Sequence, residues 1–383
     1  MERSRRLDIV MVAHRFPPLV GGVETHCFEV GSRMARAGHT VTIITGDASG
    51  RLPAEEQVAG MRVLRARAYP AGSDILFAPG VYRHVQHTAC DIVHVQGFHT
   101  FVPPVALLAA IRASRAFVMS FHSGGHSSAA RRLVRGPQMQ ALKPLIVRAA
   151  KLIAVSEFEA DHFAQGMRIE RDRFVVVPNG AEIDAGGAQD APDPENPLIV
   201  TLGRLERYKG HHRAIAALPY VLAQRPGARL RIVGDGPYRA DLEKLAHRLG
   251  VADRVKIGGV PAHERASLGA LISQAAAVVL LSDYEAHPVA ALEAIALRRP
   301  VLASCTTGFR EMAARGLVRG IDPASEPAVI AAEMLDLIDS GRSERTTQPA
   351  TWNWNWDDCT GALLALYAQA LGFRTQDIGE KAA

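Results

Sequence analysis

The sequence predicts an α/β protein made of two doubly wound, Rossmann-like domains. Three observations predict it. Short apolar, β-branched runs recur along all 383 residues, longer segments with helical patterning separate them, and one polar stretch splits this alternation into two halves of similar size. The first half carries runs at Ile9–Val12, Val41–Thr45, Ile92–Val95, Phe117–Phe121, Leu152–Val155 and Phe174–Val177. The second carries Leu198–Thr201, Leu230–Val233, Val255–Ile257, Val278–Leu281 and Val301–Ala303. Near-continuous runs of this kind suit parallel strands covered on both faces. Helical patterning lies between them at Glu24–Ala37, His211–Gln224, Ala240–Leu249 and Val289–Leu297. Strand alternating with helix is the signature of a doubly wound sheet.

The divide is Ala185–Pro197, AGGAQDAPDPENP, rich in Gly, Pro and Asp and nearly free of large apolar residues, which reads as a linker. The expected organisation is a first domain over 1–184, a linker over 185–197 and a second domain over 198–350. A last segment, 351–383, begins with WNWNW and continues as an apolar helix of about Cys359–Leu371 before a polar tail. Ligands of open α/β sheets lie beyond the carboxyl ends of the strands. Two such domains facing across a cleft would present strand ends on both walls.

Bulk composition narrows the class. Apolar residues make up 48% and charged residues 22%, an ordinary globular balance. The net charge of +5 suits a phosphate-bearing ligand, an anionic membrane surface or nucleic acid. Cys27, Cys90, Cys305 and Cys359 form neither a CxxC nor a zinc spacing, so reduced thiols in a cytoplasmic protein are expected. The basic N-terminus precedes a short apolar run interrupted by Asp8, unlike a signal peptide. Ala275–Leu281 is far shorter than the ~18–20 residues that span a bilayer.

The residues just beyond the strands carry the chemistry. After Ala13-His14 comes HRFPPLVGGVETH, in which Gly21 and Gly22 let backbone approach a ligand and the following helix start offers free amides. A tight strand-to-helix turn explains the same residues. After Leu198–Val200 come Gly203-Arg204 and Lys209-Gly210, two cations able to grip a diphosphate through charge-assisted hydrogen bonds. A solvated basic turn is the plainer explanation. SDYEAHPVAALEAIA places Glu285 in a loop and Glu293 in a helix. Eight helical residues would separate the two carboxylates by about 12 Å, beyond the ~5–9.5 Å of a glycosidase pair. The spacing suits acids holding hydroxyls at opposite ends of one extended ligand, with the helix start near His287 and Val289 facing negative charge. Two surface glutamates on an amphipathic helix are the alternative.

With these residues in place, the chain resembles the retaining group-1 glycosyltransferases of GT-B fold, among them bacterial mannosyltransferases, lipopolysaccharide sugar transferases and sucrose synthase. The resemblance runs through PPLVGGVETH with AGHTVTIIT, DIVHVQGFH, AVSEFEADHF, VVPNGAEID, VTLGRLERYKGHHRAI, RIVGDGP and SDYEAHPVAALEAIA with RRPVLAS, in order and over nearly the full chain. It implies a nucleotide diphosphate sugar, UDP- or GDP-linked, as donor. It implies Gly21 and Gly22 beside the donor's sugar and phosphate, and His122, in FHSGGH, as the catalytic-side histidine. Arg204 and Lys209 would lie on the diphosphate, Glu285 on donor-sugar hydroxyls and Glu293 on the ribose. Many members carry Phe-Gly where this chain has His287-Pro288. Proline suits a helix start but removes the amide at 288 as a donor contact. The family's last helix returns to the first domain.

Other readings bound this one. None of the fifteen histidines falls into a convincing zinc spacing, and no Asp-x-Asp occurs in the chain, so no metal and no other cofactor is expected. Arg204, Lys209 and helix termini would then neutralise the leaving group. GDGP at 234–237 lacks the third glycine of a dinucleotide fingerprint, Arg239 standing in its place, and reads as a structural turn. WNWNW reads as an aromatic anchor or as a sugar platform. From Ile92 to Ser156 there is no acidic residue, against Arg112, Arg115, Arg131, Arg132, Arg135, Lys143, Arg148 and Lys151. That bias fits peripheral contact with an anionic membrane, a solvated basic face, or a pocket for an anionic acceptor. Nucleic acid is not expected, since no aromatic interleaving accompanies the charge. An epimerase of related fold and a non-catalytic sugar-nucleotide-binding protein are the rival classes; the acceptor is unknown.

Overall fold

A computed structural model describes residues 5–19, 21–70, 76–123, 129–185, 192–261, 264–343 and 352–374, without side-chain detail over 129–134 and 341–343. Gly124, Gly125, His126, residues 186–191 of the Gly/Pro/Asp-rich linker and the polar tail lie outside the described residues, as do the side chains of Arg131 and Arg132.

The chain forms two units. The first takes its residues from Met1–Ser123, Ala130–Gly180 and Trp354–Ala383, and the second from Ala181–Asn353. In the first, β1 (Asp8–Ala13), α1 (Gly22–Arg36) and β2 (Thr40–Asp47) lead to a hairpin, β3 (Glu55–Val58) and β4 (Met61–Arg67). Then come α2 (Gly80–His87), β5 (Ile92–Gln96), α3 (Val102–Arg112), β6 (Ala116–Ser120), α4 (Ala129–Ile146), β7 (Lys151–Ala154), α5 (Glu157–Met167) and β8 (Phe174–Val176). The eight strands order as β3-β4-β2-β1-β5-β6-β7-β8. All neighbours are parallel except the β3–β4 pair. The second unit runs β9 (Leu198–Leu202), α6 (His211–Gln224), β10 (Arg229–Val233), α7 (Arg239–Arg248), β11 (Val255–Ile257), α8 (Arg265–Ser273) and β12 (Ala277–Leu280). It continues through α9 (Val289–Ala296), β13 (Val301–Ser304), α10 (Thr307–Ala314), β14 (Arg319–Ile321) and α11 (Pro327–Ser343). Its parallel sheet orders as β11-β10-β9-β12-β13-β14. Both sheets are the doubly wound α/β architecture read from the sequence.

Burial explains why these runs are strands. β5, β12 and β13 are buried at every position, as a sheet covered by helices on both faces requires. The β3–β4 hairpin and β14 break the apolar-run rule and were not expected. β3 is an edge strand of alternating exposure, EEQV, and β14 is three residues long at the opposite kind of edge. The change of unit after Gly180 precedes the Gly/Pro/Asp-rich stretch. Ala181 and Ile183 pack against the second unit's core, so the chain commits to that unit before its composition turns polar.

α12 (Trp356–Ala370) belongs to the first unit and packs on α1. Asn355 caps it reciprocally: its side chain accepts from the Asp358 amide at 2.9 Å, and the Asp358 carboxylate accepts from the Asn355 amide at 2.8 Å. Trp356 and Tyr367 are fully buried. Removing an indole of this kind costs about 3–5 kcal/mol. Trp354 donates to the Pro178 carbonyl at 3.0 Å, and Trp352 packs with the second unit's core. The aromatic cluster thus anchors chain.

Candidate active site

In each sheet the strand order reverses beside the first strand of its unit, β1 or β9, and ligand sites of such folds lie at that switch. In the second unit the residues following β9 and β12 meet there. Lys209 and Glu285 are ion-paired, Nζ to Oε1 at 2.6 Å, with side chains only 18% and 13% exposed. Ser282 donates its hydroxyl to the same Oε1 at 2.8 Å. Burial alone would lower the Lys209 ammonium, but the Glu285 carboxylate outweighs it and holds the lysine above its ordinary value. Arg204 stands 3.9 Å from the Glu206 carboxylate.

The backbone locks this arrangement. Gly210 caps α6 at a φ of 73°, and a Cβ there would lie 1.8 Å from the Leu281 carbonyl oxygen. Only glycine fits both the conformation and the approach. The Asp283 amide donates to the Tyr208 carbonyl at 2.7 Å, tying the Lys209 turn to the Glu285 loop. His211 bridges Thr201 Oγ1 (3.0 Å) and the Arg204 carbonyl (3.2 Å). Burial brings its imidazole down to about 4, so it holds that turn as a neutral ring. GDGP is the structural turn expected: Cβ atoms at Gly234 and Gly236 would strike the Gly203 and Leu205 carbonyls.

The glutamate pair needs a correction. α9 starts at Val289, so residues 285–288 are loop, and the about 12 Å of helical rise reckoned from Glu285 does not apply. Pro288 is the cap of α9, in extended backbone, and Val289 is its first helical residue. The first-turn amides, Val289 and Ala290, have no intrahelical acceptors, as at any helix start. Glu293 is buried, and Arg265 at the start of α8 donates to its Oε1 at 2.6 Å. His287 packs on Trp352 with ring centroids 5.2 Å apart. Desolvation, with Arg315 nearby, lowers its imidazole to about 3.

In the first unit, Gly21 caps α1 in extended backbone. Neither glycine of the pair sits in left-handed backbone; what they supply is room. A Cβ at Gly21 would lie 2.3 Å from a Glu24 carboxylate oxygen, and beside Gly22 there is open space. His122 follows β6 at a φ of 47°, a conformation histidine adopts more readily than most residues. Its Nε2 meets Gln96 Oε1 at 2.7 Å. Gln96 Nε2 lies 3.1 Å from His94 Nδ1, which meets the Tyr367 hydroxyl of α12 at 2.5 Å, while His94 Nε2 meets Ser120 Oγ at 2.8 Å. His26, on α1, stacks edge-on against His122 at 4.5 Å and bonds Asn179 Oδ1 at 3.0 Å. Burial keeps His122 and His94 well below the ordinary imidazole range and brings His26 to about 4. The network is therefore neutral. Glu159, wholly buried, accepts from the Ser123 amide and, at 2.9 Å, from the Val155 amide, fixing the turn that carries His122.

Sequence reasoning missed His26, Gln96, His94 and Glu159 in the first unit and Ser282, Thr307 and Arg265 in the second. The first four stand inside motifs already quoted, as polar positions in buried elements. Among the described residues no three His, Cys, Asp or Glu side chains gather as a metal-ligand set. No described helix is long and apolar enough to cross a membrane.

Known proteins carry the same plan. Residues 20–185 match the family described as Glycosyltransferase Family 4, and residues 187–351 match Glycosyl transferases group 1. The chain is 28% identical over 382 residues to a GDP-mannose:cellobiosyl-diphosphopolyprenol alpha-mannosyltransferase of Xanthomonas oryzae, covering 96% of this chain and 98% of that protein. Its fold matches sucrose-phosphate synthase from Thermosynechococcus elongatus with a TM-score of 0.72 at 19% identity, over 96% of this chain and 100% of that one. It also matches Anabaena HepE in complex with UDP-glucose, with a TM-score of 0.67 at 19% identity over 97% of each chain. The fold is GT-B, two parallel-sheet domains in one chain. The protein belongs to the group-1 glycosyltransferases, and it is a transferase enzyme.

Proposed function

We propose that the enzyme moves a sugar from a UDP- or GDP-linked donor to an acceptor hydroxyl with retention of configuration. The observation that carries this is the paired charge beyond β9 and β12: Lys209 on Glu285, with Arg204 five residues before Lys209 and Glu293, held by Arg265, on the helix that follows the Glu285 loop. Arg204 and Lys209 are the donor's diphosphate contacts, His287 and Val289 border it at the helix start, and Glu293 serves the ribose. Glu285 serves the donor-sugar hydroxyls. His122, Gly21 and Gly22 are the first unit's candidates for the same substrate. The name of the Xanthomonas relative supplies a GDP-sugar precedent, and the HepE complex a UDP-sugar one.

Among the described residues no side chain stands out as a covalent nucleophile. In the front-face reaction the bond from the anomeric carbon to the phosphate oxygen breaks and the acceptor oxygen bonds on the same face. The departing phosphate takes the acceptor's proton. Fixed cations and helix amides stabilise the charge that develops on it. No divalent metal takes part in this reading, so EDTA leaves turnover unchanged. The basic stretch over 92–156 is read as peripheral attachment to anionic lipid; flotation with anionic vesicles at low salt tests it, and absence of binding discards it.

A panel of UDP-, GDP- and dTDP-sugars, scored for thermal stabilisation and then for transfer, tests the function. One donor series should raise the melting temperature, and the glycoside formed should keep the donor's anomeric configuration by NMR. An epimer formed from donor alone, or an inverted product, contradicts the proposal.

A further inference from the structure

Thr307 opens α10 at a φ of 43°, left-handed backbone in which a β-branched residue is a conformational outlier. Glycine would adopt it freely. The cost is met by what the side chain then reaches. The Thr307 hydroxyl accepts the Glu285 amide at 2.8 Å and donates to the Glu285 carbonyl at 2.7 Å. One side chain thus holds both backbone polar groups of one residue of another turn. The Gly308 amide adds a bond to the same carbonyl at 2.8 Å, and a Cβ at Gly308 would lie 1.9 Å from the Ala286 carbonyl oxygen. Thr306 donates to the Ser282 carbonyl at 3.1 Å, and Ser282 in turn donates to the Glu285 carboxylate.

We propose that Thr307 is a positioning residue for Glu285: its hydroxyl, delivered by left-handed backbone, fixes the loop that aims the carboxylate at Lys209 and the donor sugar. This rests on the reading of Glu285 as a donor-sugar residue. Strained backbone kept where an unstrained glycine would fit points to a service rendered by the side chain. Here that service is two hydrogen bonds to one site residue.

The test is a double-mutant cycle on the full-length enzyme, with release of UDP from UDP-glucose and of GDP from GDP-mannose as readout. Thr307→Ser keeps the hydroxyl and should retain kcat/KM within about threefold. Thr307→Val and Thr307→Gly remove it and should lower kcat/KM roughly tenfold, the worth of one or two hydrogen bonds. In a Glu285→Ala background the same two changes should matter less than about twofold, because their effect passes through Glu285. Should the valine variant fail to fold, the glycine variant, free of backbone strain, carries the comparison. Full activity of Thr307→Gly, or an undiminished penalty in the Glu285→Ala background, overturns the role of Thr307 and leaves the donor site standing. A Glu285→Ala enzyme with wild-type turnover, or no release from either donor, overturns both.

Discussion

The rings around His122 in the first unit meet imidazole, amide and hydroxyl groups, with the buried Glu159 carboxylate turned to backbone amides, whereas around Glu285 the second unit pairs half-buried ions. The reasons are physical. His122, His94 and His26 are desolvated without a facing carboxylate, so each stays neutral. Lys209 faces Glu285, whose carboxylate holds the lysine charged despite its desolvation, and Arg265 pairs with the buried Glu293. A neutral network orients hydroxyls but attracts no anion. A paired cluster can exchange a carboxylate for a phosphate at little net cost. On the proposed function, the contrast would give orientation to the first unit and anion binding to the second.

The largest effect should come from Glu285→Gln. The amide still accepts from Lys209 and Ser282, but the charge is gone, and turnover should fall on the order of 100-fold. Affinity for UDP or GDP, which lack the transferred sugar that Glu285 serves, should hold or tighten as the Lys209 ammonium loses its carboxylate partner. Steady-state kinetics beside calorimetry check both. Loss of nucleotide affinity in step with turnover would erase the division between units.

A smaller loss is expected for His122→Ala, roughly tenfold or more in kcat, with UDP or GDP affinity within about threefold of wild type. An affinity loss exceeding the kcat loss would move anion binding into the first unit.

The gentlest effect is on stability against pH. The folded His26 titrates at about 4 against an ordinary 6.5. The unfolded chain therefore takes the proton first. Its contribution is fully present above pH 6.5, falls as pH drops from 6.5 towards 4, and is flat below. Between pH 7 and pH 5 that one group should cost about 2 kcal/mol, read by denaturant unfolding. His26→Gln, which does not titrate, should lose that share of the slope. An unchanged slope would mean the ring is not held neutral.

Much of this was legible in the sequence. Sheet-interior strands announce themselves because both faces are buried: IVHVQ and VLAS have no exposed position. Edges do not, which is why EEQV and RGI went unread. Arg204, Lys209, Glu285 and Glu293 were legible because charge beyond a strand end is conspicuous. Their pairing was not, since Lys209 and Glu285 are 76 positions apart. His94 and Gln96 sit inside an apolar run, where inward polarity has no pattern of its own. Nothing in CTTGF discloses that Thr307 lies in left-handed backbone.

Titration of UDP and of GDP into the wild-type protein and into Lys209→Ala reaches the central claim most directly. One nucleotide should bind the wild type and lose at least about tenfold in affinity with the lysine gone, the worth of a charge-assisted hydrogen bond to phosphate. Equal affinity in the two proteins would contradict the assignment of the second unit's paired charges to the donor's diphosphate.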